Sequence, residues 1–218
     1  MSRPGLAAYQ TGADKMPHGT VVDPRVFVAI APDGIVTIVA HRAEMGTGVR
    51  TSLPMIVAEE MEADWSRVRV QQAHGDEVKF GNQDTDGSRS TRHYLMPMRQ
   101  IGASARTMLE GAAAKRWGVP ATEVKAVNHE VVHSASGRRI GFGDLAADAA
   151  KESVPSVEGL KLKDPKGFPL SGQRPDQHGR SPRHHGGHRA LRRRRPPARH
   201  EIRRHCPAAG DRRQGRVV

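Results

Sequence analysis

The alternation of apolar and polar residues predicts a β-hairpin in the first quarter of the chain. β-Branched apolar residues fill positions 26–31 and 35–40, and Pro32-Asp33-Gly34 between them has the composition of a tight turn. Apolar residues then recur every three or four positions over 51–63, which predicts a surface helix with one buried face. Positions 67–71 alternate charged and apolar residues, as a strand with one covered face does.

The longest periodic stretch predicts a buried helix over residues 94–117. Gly118 and Pro120 follow it, and glycine followed by proline commonly ends a helix. Three shorter elements come next: strands at 124–127 and 131–133 and a helix over 142–150. The order of these elements predicts an α+β domain in which packed helices cover a small mixed sheet.

The charge distribution divides the chain into two parts. Residues 1–168 carry 21 Lys and Arg against 20 Asp and Glu, so their net charge is +1. Residues 169–218 carry fourteen Arg, no Lys, six His and three acidic residues, so their net charge is +11. We therefore expect an irregular arm over 1–20, a domain over 21–150, a linker over 151–168 and a disordered arginine-rich tail over 169–218.

The chain shows the signature of neither a disulfide scaffold nor a membrane protein. Its single cysteine, Cys206, lies in the tail, so the predicted domain has no thiolate for a disulfide or a metal site. No apolar run approaches the roughly 20 residues that cross a bilayer. Residues 1–24 also lack the apolar core of a signal peptide. We expect a cytoplasmic product as encoded, and export of a longer parent protein stays an open alternative.

Glu44-Met45-Gly46-Thr47-Gly48 is the stretch most suggestive of binding chemistry. Two glycines separated by one residue and followed by a helix leave backbone N–H groups, and the positive end of the helix dipole, for an anion. The same pattern is more often only a turn. We interpret Met45 as a residue that fills the core and Arg42 as a solvated charge, in preference to ligand contacts.

A second loop strengthens the anion hypothesis. The run from Thr85 to Ser90 is rich in hydroxyl groups, contains an arginine and precedes the long predicted helix. Two such loops in one small domain indicate a single elongated anionic ligand, although a domain that keeps no ligand remains an alternative. The predicted ligand contacts are Gly46, Thr47, Gly48, Thr85, Gly87, Ser88 and Ser90, and we assign no catalytic residue and no metal ligand.

A set of short motifs covers most of the chain before the tail. They are Pro17-His18-Gly19, Phe27 to Gly34, Glu44 to Gly48, Leu53-Pro54-Met55, Ala58-Glu59-Glu60, Asp64-Trp65, Gly81 to Ser88, Arg116 to Pro120 and Asn128-His129-Glu130. Together they resemble a cofactor-binding domain of the large molybdenum subunit in the xanthine dehydrogenase and aldehyde oxidase family. The resemblance is to the isoquinoline 1-oxidoreductase beta-subunit branch.

The resemblance implies a fold that wraps a molybdopterin cofactor, often a molybdopterin cytosine dinucleotide. Loops of this kind hold the pterin and its phosphates in the family. The glycines and Thr47 would then contact the cofactor from one side, and the Thr85 to Ser90 loop would contact it from the other. Many members carry Gln at the position of Thr47, so that hydrogen bond is absent here or passes through water.

The resemblance also implies an enzyme larger than this chain. Members oxidise an aldehyde or an N-heterocycle with water-derived oxygen, and their electrons leave through a separate 2Fe–2S small subunit. Their general-base glutamate lies close to the C-terminus of a far longer subunit, and no position here corresponds to it. We expect a fragment that contributes part of the cofactor site and is inactive alone.

The resemblance stops after Phe168, and two explanations of the tail stay open. Such charge is typical of a nucleic-acid-binding arm. The alternative is a frameshift, because permitted codons from Pro169 onward, read one nucleotide later, can encode a sequence like the next domain of the family. Arginine without lysine is also typical of a GC-rich gene read out of frame. We favour the frameshift, which sequencing across codon 168 tests, and do not expect a nucleic-acid partner or an oriented metal site at His184, His185 and His188.

Overall fold

The computed structural model describes residues 22–170, in which helices pack on two three-stranded sheets. In chain order the elements are α1 (Pro24–Phe27), β1 (Val28–Ile30), β2 (Val36–Ala40), α2 (Val49–Met61), β3 (Val68–Gln72), α3 (Glu77–Phe80), α4 (Arg89–Trp117), β4 (Val124–Val127), β5 (Glu130–His133), β6 (Arg139–Gly141) and α5 (Phe142–Ala149). This arrangement confirms the α+β prediction. The predicted arm and the tail beyond residue 170, with its histidines, lie outside the described residues.

The first sheet is mixed, in the order β1-β2-β3. β1 and β2 form the predicted antiparallel hairpin, with Val28 opposite Ile38, and β3 runs parallel to β2, with Val70 opposite Ile38. α2 lies between β2 and β3 in the chain, since two parallel strands need a long crossover. Phe27, predicted within the first strand, belongs instead to α1, which Asp23 caps through the Arg25 N–H.

The second sheet is antiparallel and has the order β4-β5-β6. Sequence periodicity missed β6, because three residues are too few to show an alternation. His129, in the turn before β5, joins this sheet to the rest of the domain. Its Nδ1 accepts the Asp64 N–H at 3.1 Å, so its Nε2 carries the proton and donates to Gly34 O at 2.7 Å.

α2 and α4 pack against each other at the centre of the domain. The apolar positions that predicted a buried helix are buried in α4, including Met98, Ile101 and Leu109. Gly102 lies at the crossing, where an added Cβ would stand 2.5 Å from Val57 O. α4 ends at Gly118, whose φ of 66° allows the Gly118 N–H to bond Lys115 O.

α2 is buried on more sides than its sequence predicts. Glu59 and Glu60 are 2% and 0% exposed, because residues 161–170 lie over them. The Lys163 N–H donates to Glu60 Oε2 at 3.1 Å, and the Leu170 N–H donates to Glu59 Oε1 at 2.6 Å. Within residues 22–170 no helix has both the length and the apolar character to cross a membrane.

Candidate functional site

Two loops that the sequence assigned to one ligand lie side by side. We call residues 41–48 the glycine loop and residues 81–90 the hydroxyl loop. The Ala43 N–H donates to Gln83 O at 2.8 Å, and Thr85 Oγ1 donates to Ala43 O at 2.6 Å. The Gln83 amide adds a bond to His41 O at 3.0 Å. These bonds place the C-terminal end of β2 next to the start of α4.

The carboxylate of Glu44 binds the backbone amides that open α2. Its Oε1 accepts from the N–H groups of Gly46 at 2.6 Å and Gly48 at 3.1 Å, and its Oε2 accepts from Arg50 N–H at 2.9 Å. Thr47 Oγ1 lies 3.5 Å from the same Oε1. The Arg50 amide, followed by those of Gly48 and Gly46, lowers the pKa of Glu44 to about 2. The expectation that these amides are free is therefore wrong.

The glycine loop needs glycine for conformational reasons. Gly46 and Gly48 have φ values of 103° and 81°, in the left-handed region that side chains rarely adopt. The loop turns Met45 outward, where it is 71% exposed, so Met45 does not fill the core. The bound Glu44 carboxylate shows that this loop can hold an oxyanion, since it already holds one.

The side chain of Arg42, in the glycine loop, is buried against the hydroxyl loop and is not the solvated charge that its sequence context indicates. Its side chain is 0% exposed, and its guanidinium lies 4.8 Å from the Tyr94 ring centroid. Nη1 donates to Asn82 O at 2.7 Å and to Asn82 Oδ1, and it lies 3.6 Å from the Asp84 carboxylate. Arg42 thus carries a positive charge into the interior of the site.

A chain of hydrogen bonds runs from Arg42 through the hydroxyl loop. Arg42 Nε donates to Ser90 Oγ at 3.1 Å, and Ser90 Oγ lies 3.2 Å from Thr85 Oγ1. Because Thr85 gives its proton to Ala43 O, Ser90 must be the donor in the bond between the two hydroxyls. Both hydroxyl protons are used within the protein.

His41 lies beside this network without joining it. Its ring is 0% exposed, and neither nitrogen has a hydrogen-bond partner among the described residues. The ring packs 4.6 Å from the Tyr94 ring and 5.5 Å from the Phe27 ring. Burial, and then the neighbouring Arg42 charge, lower the pKa of His41 to about 3, so the imidazole is neutral at physiological pH.

Gly87 and Ser88 are exposed in the hydroxyl loop, as are the carboxylates of Asp84 and Asp86. The φ values of Gly87 and Ser88 are 50° and 55°, and Ser88 is the N-cap of α4 without a side-chain capping bond. Arg89 next to them donates to Asp86 Oδ1 through Nε at 2.9 Å. An exposed hydroxyl at the start of a long helix is well placed to meet an anion from solvent.

Sequence reasoning passed over Glu44 and Arg42 as site residues. A glutamate two residues before a Gly-x-Gly turn is the signal that could have identified the first, since its carboxylate can fold back on the turn amides. Nothing in the local sequence distinguishes Arg42 from a surface arginine, because its partners lie 40 or more positions away. Among residues 22–170 no group of three or more His, Cys, Asp and Glu is arranged to hold a metal ion.

Comparison with known proteins gives a family match over most of the chain. The family model of the molybdopterin cofactor-binding domain matches residues 5–179. Isoquinoline 1-oxidoreductase subunit beta of Brevundimonas diminuta is 42% identical over 156 residues, which are 68% of this chain and 20% of the relative. This relative confirms the resemblance drawn from the motifs.

Two further proteins are similar over shorter regions. The membrane-bound aldehyde dehydrogenase (pyrroloquinoline-quinone) of Gluconacetobacter polyoxogenes is 39% identical over 132 residues, covering 61% of this chain and 17% of the relative. The crystal structure of quinoline 2-oxidoreductase from Pseudomonas putida 86 is 19% identical with a TM-score of 0.47, covering 60% of this chain and 17% of that one. The chain thus spans about a fifth of the length of the curated relatives. From the match over residues 5–179, the chain belongs to the molybdopterin cofactor-binding domain family.

Proposed function

We propose that the glycine loop and the hydroxyl loop together bind one molybdopterin cofactor. The observation that supports this most is their juxtaposition through the Ala43–Gln83 and Thr85–Ala43 bonds. The donor chemistry fits a phosphate-bearing pterin, because a buried guanidinium and an exposed helix N-cap hydroxyl lie at the same junction. The contacts are Gly46, Thr47 and Gly48 on one side and Thr85, Gly87, Ser88 and Ser90 on the other.

The residues of this chain have a binding and orienting role in the proposal. The backbone of the glycine loop, held in shape by Glu44, offers a surface without side chains at Gly46 and Gly48. Thr85 and Ser90 fix the distance between the loops through the bond from Thr85 to Ala43 and the bond that Ser90 accepts from Arg42. The molybdenum cofactor itself supplies the redox chemistry when it is bound.

We further propose that this site belongs to an oxidoreductase subunit that oxidises an aldehyde or an N-heterocycle. The relatives whose names mention isoquinoline and aldehyde support these two substrate classes. The cofactor is the cytosine dinucleotide form, and a 2Fe–2S small subunit is the electron-accepting partner, as the designation of one relative as subunit beta suggests. We expect the domain alone to be inactive, because it spans about a fifth of the length of the curated relatives.

A chimera tests the cofactor proposal. The matching segment of the Brevundimonas diminuta subunit is replaced by the equivalent residues of this chain and produced in a host that makes the cofactor. Molybdenum content, pterin fluorescence after oxidation and isoquinoline oxidation are then measured. We expect the chimera to retain molybdenum and pterin in a molar ratio close to one.

Two serine variants serve as a matched pair in the same chimera. Ser88→Asp adds a negative charge where the anion is proposed to bind, and should reduce pterin content at least several-fold. Ser156→Asp changes another exposed N-cap serine that lacks a side-chain capping bond, and should leave pterin content unchanged. A folded chimera without pterin, or equal pterin in both variants, contradicts the proposal.

A further inference from the structure

Most donors that the two loops could offer a ligand are already used within the protein. The Gly46, Gly48 and Arg50 amides donate to Glu44. Thr85 donates to Ala43 O, and Ser90 donates to Thr85. A ligand that approaches the junction of the loops therefore needs a donor other than these.

Arg42 has such a donor. Its Nη2 is buried and has no hydrogen-bond partner among the described residues, while Nε and Nη1 are both bonded. In the planar guanidinium, one N–H of Nη2 points in the same direction as the Nε N–H. Because Nε bonds Ser90 Oγ, Nη2 is directed toward the first turn of α4 and the hydroxyl loop.

The surroundings of Arg42 hold the guanidinium in one orientation. Asn82 O accepts from Arg42 Nη1 at 2.7 Å and from Tyr94 OH at 3.1 Å, and the Tyr94 ring lies against the guanidinium. Asp84 approaches Nη1 at 3.6 Å and is itself 48% exposed, so it neutralises the charge only in part. The fixed guanidinium leaves the N–H groups of Nη2 without a partner among the described residues, and these groups can donate to an oxygen of a phosphate group.

We propose that Arg42 binds a phosphate oxygen of the ligand through Nη2 while Nε and Nη1 hold the two loops together. The proposal rests on the proposed function only for the identity of the ligand, and its chemistry applies to any phosphate or diphosphate ester. Binding satisfies a buried donor that has no partner among the described residues. It also requires the loops to part slightly, since Nη2 is covered before the ligand arrives.

Inorganic pyrophosphate is the probe for the test. The full chain, with arginine labelled by ¹⁵N, is titrated with pyrophosphate, and affinity is measured by calorimetry. We expect the side-chain Nη signal of Arg42 to shift with pyrophosphate and not with an equal ionic strength of chloride. Arg42→Lys keeps the charge but cannot bond both loops and the ligand, so we expect its affinity for pyrophosphate to fall at least tenfold.

Arg67→Lys is the matched control. Arg67 also donates from its guanidinium to a backbone carbonyl, Asp33 O at 2.7 Å, but lies on the hairpin side of the domain. Its substitution should leave the affinity for pyrophosphate within about twofold of the wild-type value. If Arg42→Lys does not fold, the wild-type titration decides, because a structural arginine shows no pyrophosphate-dependent signal.

Three results overturn the assignment of Arg42. They are no pyrophosphate binding by the wild-type chain, an Arg42 signal that does not move, and unchanged affinity in folded Arg42→Lys. None of them affects the pterin content of the chimera, which tests the proposed function separately. If the chimera contains pterin but Arg42 fails these tests, the proposed function stands and only the assignment of Arg42 as the phosphate contact is wrong.

Discussion

Adjacent residues His41 and Arg42 are both buried at the end of β2, yet they behave in opposite ways. Arg42 donates hydrogen bonds to Asn82 and Ser90, and its guanidinium lies near the Asp84 carboxylate. His41 has only aromatic neighbours and an adjacent positive charge, so its protonated form is strongly disfavoured. At the scale of single residues, therefore, folding gives one of two adjacent buried side chains several hydrogen-bond acceptors and gives the ring of the other no hydrogen-bond partner among the described residues.

The low pKa of His41 predicts acid sensitivity. An imidazole with a pKa of about 3 when folded and about 6.5 when unfolded binds more protons in the unfolded state, so stability falls as pH drops below about 6.5. From about pH 7 to about pH 4.5 this costs roughly 2–3 kcal/mol of the free energy of unfolding. Urea denaturation across this range measures the loss.

A pair of histidine variants isolates this contribution. His41→Leu should flatten the pH dependence between about pH 7 and 4.5, whereas His74→Leu, at an exposed position, should not. The burial of His129 also lowers its pKa and adds to the wild-type slope, so only the difference between variants counts. Equal slopes for wild type and His41→Leu contradict the prediction.

Glu44 predicts a local effect on the glycine loop. In Glu44→Ala the amides of Gly46, Gly48 and Arg50 lose their acceptor, so their hydrogen exchange should become faster while exchange in α4 stays unchanged. Glu158→Ala, at another exposed glutamate, should leave all three amides as they are. Because the pKa of Glu44 is lowered to about 2, wild-type protection should persist as pH falls and be lost only near that value.

The sequence predicts a helix or strand correctly where the repeat of apolar residues extends over enough positions to be recognised. The hairpin, α2, β3, α4, β4, β5 and α5 all appear within a few residues of the predicted positions. α3 and β6 were missed, because four and three residues carry no periodic signal. A helix over 51–63 holds Pro54 in its first turn, but α2 begins at Val49, so Pro54 lies inside the helix.

The contact between α2 and α4 depends on one glycine. In Gly102→Ala the new Cβ would stand 2.5 Å from Val57 O and 2.7 Å from Glu60 Cβ, which forces the helices apart. We expect a loss of about 1–3 kcal/mol in the free energy of unfolding, the usual cost of overpacking. Thermal or urea denaturation measures it.

Gly111 in the same helix provides the control. A Cβ there would have its nearest neighbour, Glu152 Oε2, at 3.5 Å, an ordinary contact. Gly111→Ala should therefore be neutral or stabilise by up to about 1 kcal/mol through helix propensity. A Gly102→Ala protein as stable as Gly111→Ala would show that the helices have room at their crossing.

At the scale of the whole domain, Glu60 joins three distant segments. Its carboxylate lies 2.7 Å from Arg99 Nε and 3.5 Å from Arg106 Nη1, and it accepts the Lys163 N–H. Arg99 and Arg106 in turn donate to the carbonyls of Lys163 and Lys161. The stretch predicted as a linker thus includes residues that pack on α2 and α4 through a buried ionic network.

Removal of the Glu60 carboxylate should destabilise the whole domain. Glu60→Ala leaves two largely buried guanidinium groups without their anion, and we expect a loss of about 3–5 kcal/mol in the free energy of unfolding. Glu60→Gln keeps the volume and one acceptor and should lose less. Glu130→Gln breaks an exposed pair with Arg139 and should cost less than about 1 kcal/mol.

The sequence by itself determined the longer elements, the α+β class, the family and the two candidate loops, because these depend on periodicity and on short motifs. Only the tertiary structure decided which polar groups are buried and which donors remain open. The partners involved are far apart in the chain, 48 positions for Arg42 and Ser90 and 111 for Glu59 and Leu170. A hydrogen bond forms between groups that folding brings together, so the free or bonded state of Arg42 Nη2 is a property of the packed domain and not of any local stretch.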